Sequence, residues 1–207
     1  MRKLIYIPII HTEEDMGSMA GDMKQIYIRH YGATRWRRHV NTVNAVWEGI
    51  KQKILDLNLD YARVKIYQDG LPLCGREIEI MEDVARLGSH NYNIIKELVK
   101  NGAVLIGTED PKLLIEEYTF YKKIIEIPDI EQRNEAMQKA KKRRNELLAE
   151  RDKFIAGRIK DTIGANETGL LFLGIEHEAN KYIAVDIKVE YLIYRLPFKE
   201  LIKTEVK

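Results

Sequence analysis

The sequence has very little cysteine: Cys74 is the single one among 207 residues. An intrachain disulfide is therefore excluded, and this cysteine content is typical of proteins that fold in a reducing compartment. Cys74 follows a predicted turn, and no histidine is close to it in the sequence. Nothing in the sequence therefore supports a nucleophilic role for its thiol.

Long apolar runs and a strong excess of one charge are also missing. No segment approaches the ~18 consecutive apolar residues that a transmembrane helix needs, and the first apolar run is not followed by a site typical of signal-peptide cleavage. We therefore expect a cytoplasmic protein without a membrane partner. The formal net charge is only +2, so the electrostatic field of the whole protein does not favour nucleic acid as a partner.

Two local basic clusters keep a nucleic-acid-associated function open as an alternative. Residues 35–38 read Arg-Trp-Arg-Arg, and residues 139–144 read Lys-Ala-Lys-Lys-Arg-Arg. Such clusters can contact phosphate groups. Glutamates surround the second cluster at helical spacings, so a solvated helix face is the better interpretation of it.

Apolar runs that alternate with helical periodicity predict the fold class. The composition, 45% hydrophobic and 32% charged, is that of a globular protein, and the length fits a single domain over residues 1–207. The apolar runs predict five strands, at residues 3–10, 62–68, 103–107, 169–173 and 189–196. Strands separated by helices indicate an α/β domain with a central, mostly parallel sheet and helices on both faces.

The segments between these strands differ in character. Helical periodicity or capping signals cover residues 33–57, 76–87, 91–100, 111–125 and 129–163. The last of these predicts one long charged helix whose first half is exposed. Residues 11–31 are expected to be irregular, with a short strand at 25–29, and to lie over the site described next. A further helical segment is expected between the fourth and fifth strands.

Side chains that can bind a metal ion or act as acids and bases follow several of the predicted strands. His11 ends the first apolar run, Glu109 ends the third, and Gly174-Ile175-Glu176-His177 ends the fourth. Because ligands bind outside the carboxyl ends of parallel strands, we expect these side chains to converge on one polar site. Asp69 ends the second strand in the same way and is a further candidate. Each histidine also has the alternative interpretation of an ordinary polar residue at a strand end.

Two of these candidates have further alternatives. Glu109 precedes Asp110-Pro111, a sequence typical of a helix start, where acidic residues are favourable. Arg151 and Asp152 are consecutive on a predicted helix, so we expect only one of them to face the site. Arg151 is a candidate for holding an anionic substrate or orienting Glu109, and a salt bridge between elements is its structural alternative.

The order of these motifs resembles the TraB/Tiki group, which belongs to a wider superfamily with erythromycin esterase-like and ChaN-like proteins. The similar features are a first strand ending in histidine, a helix containing Glu150-Arg151-Asp152, and a strand ending in Gly-x-x-His. Tiki members are metal-dependent peptidases with two Gly-x-x-His motifs and a glutamate. Residues 174–177 match the second motif, whereas His11 matches the first in its histidine alone, because Pro8 stands in the place of glycine.

The resemblance implies a hydrolase that acts on an amide or ester bond of a small-molecule or peptide substrate. It implies a divalent metal ion held by His11, Glu109 and His177, with Glu109 as ligand or general base and Arg151 as a substrate clamp. Further candidates for this site are Asp69, Asp152 and Gly174. The alternative is a non-catalytic ligand-binding or regulatory module with the same cleft. The sequence leaves the metal's identity and the oligomeric state open, and a homo-oligomer is compatible with it.

Overall fold

In the computed structural model, five strands form one sheet in which all neighbouring strands are parallel. In chain order they are β1 (Arg2–Ile9), β2 (Val64–Gln68), β3 (Val104–Ile106), β4 (Thr168–Gly174) and β5 (Ile187–Tyr191). Their order across the sheet is β3-β2-β4-β1-β5. Thr168 pairs with Lys3 of β1 on one side and with Val64 of β2 on the other. β4 is therefore the central strand.

Six α-helices are present in the part of the chain that the structure describes, residues 1–12, 14–15 and 20–196 apart from the side chain of Met23. They are α1 (Ala20–Tyr31), α2 (Ala33–Asp56), α3 (Glu77–Arg86), α4 (His90–Lys100), α5 (Pro111–Ile125) and α6 (Ile130–Thr162). The predicted start of α5 is confirmed, because the Asp110 carboxylate accepts from the Lys112 backbone N–H and Pro111 is the first helical residue. No described helix is long and apolar enough to span a bilayer.

Helices cover both faces of the sheet, so the predicted α/β class is confirmed. Successive residues of a strand point to opposite faces. Ile5 and Ile7 of β1 therefore pack into the larger core beneath α2, α3 and α4, which includes Trp47 of α2. Leu4 and Tyr6 point the other way, into a core that contains Ile155 and Ile159 of α6 and other apolar side chains.

The long charged helix α6 has the predicted division into two halves. In residues 130–146 no side chain is buried, and Leu147 is the first buried residue. From there the buried positions recur at helical spacing: Leu147, Arg151, Asp152, Ile155, Ala156 and Ile159. The second half of α6 therefore packs on the sheet. The first half lies at the surface, where Arg143 forms an ion pair with Glu116 of α5.

Two predicted segments are wrong. Residues 20–31 form helix α1 instead of an irregular segment with a short strand, because Tyr27 packs its ring on Trp36 and His39 of α2. Gly32 separates the two helices at φ +84°, a conformation that favours glycine. The remainder of the predicted excursion, residues 13 and 16–19, lies outside the described residues. The helical segment predicted between β4 and β5 is only a short 3-10 helix, Ala179–Lys181.

β5 also lies earlier in the chain than predicted. It covers Ile187–Tyr191 because Tyr194, which falls within the predicted strand, packs instead on helix α2. A Cβ atom at Gly49 of that helix would lie 2.1 Å from the Tyr194 ring. The tyrosine therefore occupies the space that the missing side chain of Gly49 leaves open.

Candidate functional site

The carboxyl ends of the four strands β1 to β4 bring the predicted polar residues together. His11 follows β1, Asp69 follows β2, Glu109 follows β3 and His177 follows β4. Since β1 and β2 flank β4, His11 and Asp69 approach each other across the end of that strand. The distance between His11 Nε2 and Asp69 Oδ2 is 3.0 Å. The structure thus brings His11 and Asp69 together at the carboxyl end of β4.

Gly174, the last residue of β4, makes this approach sterically feasible. Its backbone N–H donates to Asp69 Oδ2 at 2.9 Å. A Cβ atom on Gly174 would lie 2.9 Å from the same oxygen and 3.4 Å from His11 Nε2. Any side chain here would thus displace the Asp69 carboxylate, which explains why the Gly-x-x-His segment begins with glycine.

Asp69 is the centre of the cluster. Its Oδ2 atom lies 3.0 Å from His11 Nε2 and 3.5 Å from His177 Nε2. Burial by itself would raise the pKa of this carboxyl, but the hydrogen bonds from the two histidines outweigh burial and hold the pKa well below its ordinary value. The carboxylate is therefore ionised and interacts with both imidazoles.

His177 is oriented from its other side by Asp152. The distance between His177 Nδ1 and Asp152 Oδ1 is 2.6 Å, and Asp152 Oδ2 accepts from the Glu178 backbone N–H. Burial would lower the pKa of His177, yet hydrogen bonds to Asp152 and Asp69 raise it to about 9. The Asp152 contact fixes the ring so that Nε2 points to the cluster.

Arg151 joins the carboxylates of the neighbouring strands. Its Nε and Nη2 atoms donate to the two oxygens of Glu109, Nη2 also donates to Asp69 Oδ1 at 2.8 Å, and Nη1 donates to Glu117 at 2.7 Å. The side chain is only 5% exposed. Arg151 therefore forms a salt bridge between elements, which is the predicted alternative to a role in substrate binding. Four of its five N–H donors are engaged, so little remains to clamp a substrate.

Glu109 is fully buried and is held in two ways. Besides Arg151, the backbone N–H of Gly70 donates to its Oε1 atom at 2.9 Å. Burial raises the pKa of this carboxyl, and the Arg151 guanidinium opposes that rise. The helix cap is the neighbouring Asp110, so Glu109 belongs to the buried cluster and not to the helix start.

Arg151 and Asp152 both face the cluster, which corrects the prediction that only one would do so. Consecutive residues of a helix point about 100° apart. The long Arg151 side chain reaches Glu109 after β3, while the short Asp152 side chain reaches His177 after β4. The two residues thus bracket the cluster from the face that α6 covers.

The cluster contains a set of atoms that could hold a metal ion. One ligand atom each from Asp69, Glu109 and His177 lies within 4.8 Å of the others. His11 adds a fourth candidate through its contact with Asp69 Oδ2. Sequence reasoning placed Asp69 second to Glu109, although Asp69 ends its strand in the same way. Its carboxylate is the one that both histidines contact.

The basic cluster at residues 139–144 is largely paired in the structure. Its cations form ion pairs as follows: Lys139 with Glu135, Lys142 with Glu146, Arg143 with Glu116, Glu146 and Glu150, and Arg144 with Glu176. These pairs agree with a solvated helix face. They leave little unpaired positive charge for nucleic acid.

Comparison of the whole chain with protein-family models, with curated proteins and with solved structures finds no significant match.

Proposed function

We propose that this chain is a metal-dependent hydrolase of the TraB/Tiki type that cleaves an amide or ester bond. The observation that carries the proposal is that one ligand atom each from Asp69, Glu109 and His177 lies within 4.8 Å of the others, with His11 in contact with Asp69. His11 Nε2 and His177 Nε2 approach one oxygen of Asp69, at 3.0 and 3.5 Å. Two imidazole nitrogens and one carboxylate oxygen are a common ligand set for catalytic zinc and non-haem iron.

The surroundings of these atoms fit a divalent cation. Asp152 contacts Nδ1 of His177, so Nε2 is the nitrogen that would bind a metal after releasing its proton, and a carboxylate in this position is typical of metal-binding histidines. Asp69 is ionised and buried, with its Oδ2 atom held by the Gly174 backbone N–H. A bound ion would act as a Lewis acid and would lower the pKa of a water molecule.

The chain's own residues divide into ligands and positioning residues. We assign His11, Asp69 and His177 as the ligands. Glu109 is the second carboxylate of the group, and its two hydrogen bonds with Arg151 make it a poorer ligand than Asp69. Arg151 also donates to Asp69 Oδ1, which leaves Oδ2 directed at the histidines. Arg151 and Glu109 thus position Asp69, and Asp152 positions His177.

Metal content and metal affinity test this proposal. Protein purified without chelator is expected to contain about one divalent ion per chain, and metal-free protein should bind Zn²⁺ or Mn²⁺ in calorimetry. Loss of an outer residue that orients a ligand costs roughly 10–100-fold in affinity. We therefore expect His177→Ala and Asp69→Asn to lose more than about 100-fold. His30→Ala, at an exposed histidine of α1, is the matched control and should bind like the unaltered protein.

Hydrolysis is measured on the same proteins with 4-nitrophenyl acetate. The proposal expects turnover that requires the added metal and disappears in His177→Ala but persists in His30→Ala. Absence of stoichiometric metal binding for every first-row divalent ion would contradict the metal site. Metal binding without turnover on ester and amide substrates would leave the non-catalytic ligand-binding module as the function.

Gly174 provides a further prediction about the same ligands. Gly174→Ala places a Cβ atom 2.9 Å from Asp69 Oδ2, so the carboxylate must leave the position in which it contacts the histidines. We expect the metal affinity to fall about 10–100-fold. Gly157→Ala is the matched control, because a Cβ there has no atom within 4 Å and alanine favours the helix. Equal metal affinities in the two variants would show that Gly174 does not position the carboxylate.

A further inference from the structure

A cavity of about 220 Å³ opens beside His11. Helices α1 and α2 and the residues just before and at the start of α4 form its walls. His11 lines the cavity and also contacts Asp69, and its imidazole is 36% exposed. The cavity and the proposed metal site therefore share this one residue.

The wall formed by α1 and α2 is aromatic and aliphatic. The Tyr27 ring lies 5.2 Å from the Trp36 ring and 5.5 Å from the His39 ring, measured between centroids. Trp36, Val40 and Val43 follow one another at helical spacing, so α2 presents them on one face. Flat apolar walls of this kind favour burial of an aromatic ring.

The polar groups around the cavity do not favour a charged ligand of either sign. The carboxylate of Glu14 and the imidazoles of His11 and His90 are distributed around it together with the Asn44 amide. His90 Nδ1 in turn lies 3.6 Å from the Glu48 carboxylate. Acidic and basic groups are thus mixed, and the amide can form hydrogen bonds with a neutral polar substituent.

We propose that this cavity binds an uncharged aromatic ring of the substrate. The role of the cavity as a substrate subsite rests on the hydrolase function proposed above. The binding of an aromatic ring in the cavity does not depend on that function. The size is appropriate, since an engineered cavity of roughly 150 Å³ accommodates benzene. The substrate class is therefore an amide or ester with an aromatic group close to the bond that is cleaved.

The two tryptophans give a direct readout of ligand binding. Trp36 lines the cavity, whereas Trp47 is fully buried and its indole N–H donates to the Ile10 carbonyl. Titration of the ¹⁵N-labelled, metal-free protein with benzamide should shift the Trp36 indole resonance in a saturable way. The Trp47 resonance should move less and reports that the fold is intact. Trp36→Phe assigns the two resonances.

Variants and a charged analogue make the test specific. Val40→Phe fills the cavity, so the apparent Kd for benzamide should rise by about tenfold or more. Asn41→Phe, at the next and exposed position, is the matched control and should bind like the unaltered protein. Saturation-transfer measurements on Trp36→Leu, which removes one wall, should show the same weakening.

Benzamidine has the shape of benzamide with a positive charge, and it should bind more weakly. Three results would overturn the proposal: no saturable shift with benzamide, equal affinity in Val40→Phe and Asn41→Phe, or tighter binding of benzamidine. The readout requires neither metal nor turnover. A failure of the metal experiment and a failure of this one are therefore distinguishable.

Discussion

Arg151→Met is expected to lower the free energy of unfolding by about 3–5 kcal/mol, because it leaves buried carboxylates without their partner. Glu109 is fully buried, and Asp69 is 6% exposed. Methionine keeps much of the apolar length of arginine, so the loss reports on charge more than on volume. Urea unfolding followed by circular dichroism measures it.

Arg143→Met is the matched control for this result. Arg143 is on the same helix and also pairs with carboxylates, those of Glu116 and Glu150, but its side chain is 41% exposed. Water screens such pairs, so its replacement should change stability little. The double variant Arg151→Met/Glu109→Gln should recover part of the loss, because it removes one of the unpaired charges. Equal losses in the two single variants would contradict a buried ion-pair network at Arg151.

Trp47→Ala is expected to have a comparable effect on stability, about 3–5 kcal/mol, through loss of buried volume. The Trp47 side chain is fully buried between α2 and the sheet, with its ring 6.5 Å from that of Phe172. Its indole N–H donates to the Ile10 carbonyl at 3.1 Å, one residue before His11. The same variant should therefore also weaken metal binding, because the backbone that carries His11 loses its anchor.

Trp36→Ala, on the same helix, separates this effect from the general loss of a tryptophan. Trp36 is half-buried and lines the cavity, so its replacement should cost much less stability and leave metal affinity unchanged. Trp47→Phe should keep most of the packing but lose the hydrogen bond to Ile10. If metal affinity in Trp47→Phe matched that of the unaltered protein, the proposed link between this hydrogen bond and His11 would be wrong.

The positions of the site residues followed from the sequence wherever a strand end determined them. His11, Glu109 and His177 each end an apolar run, and parallel strands gather such residues at one edge. Asp69 obeys the same rule, but the Gly70-Leu71-Pro72 segment that follows it is typical of a turn, so the sequence equally allows Asp69 to be an ordinary turn residue. The sequence does not contain the strand order, which alone decides that Asp69 lies opposite both histidines.

The features that could not be predicted from the sequence depend on contacts between distant segments. Helix α1 forms within a segment that was expected to be irregular, because Tyr27 packs on α2. The rotation of α6 about its axis, which turns Arg151 and Asp152 to two different strand ends, is set by how Ile155 and Ile159 pack on the sheet. Neither is visible in local periodicity, since tertiary contacts override propensity.

The parallel sheet order has a consequence for synthesis of the chain. β1 is synthesised before the other four strands, yet both of its neighbours, β4 and β5, belong to the last part of the described chain. Lys3, for example, cannot pair with Thr168 until β4 has been synthesised. At roughly 5–20 residues per second, β1 stays without strand partners for on the order of ten seconds or longer. Its isoleucines are then exposed to other chains and to chaperones. We therefore expect residues 2–9 to need protection until translation has passed β4.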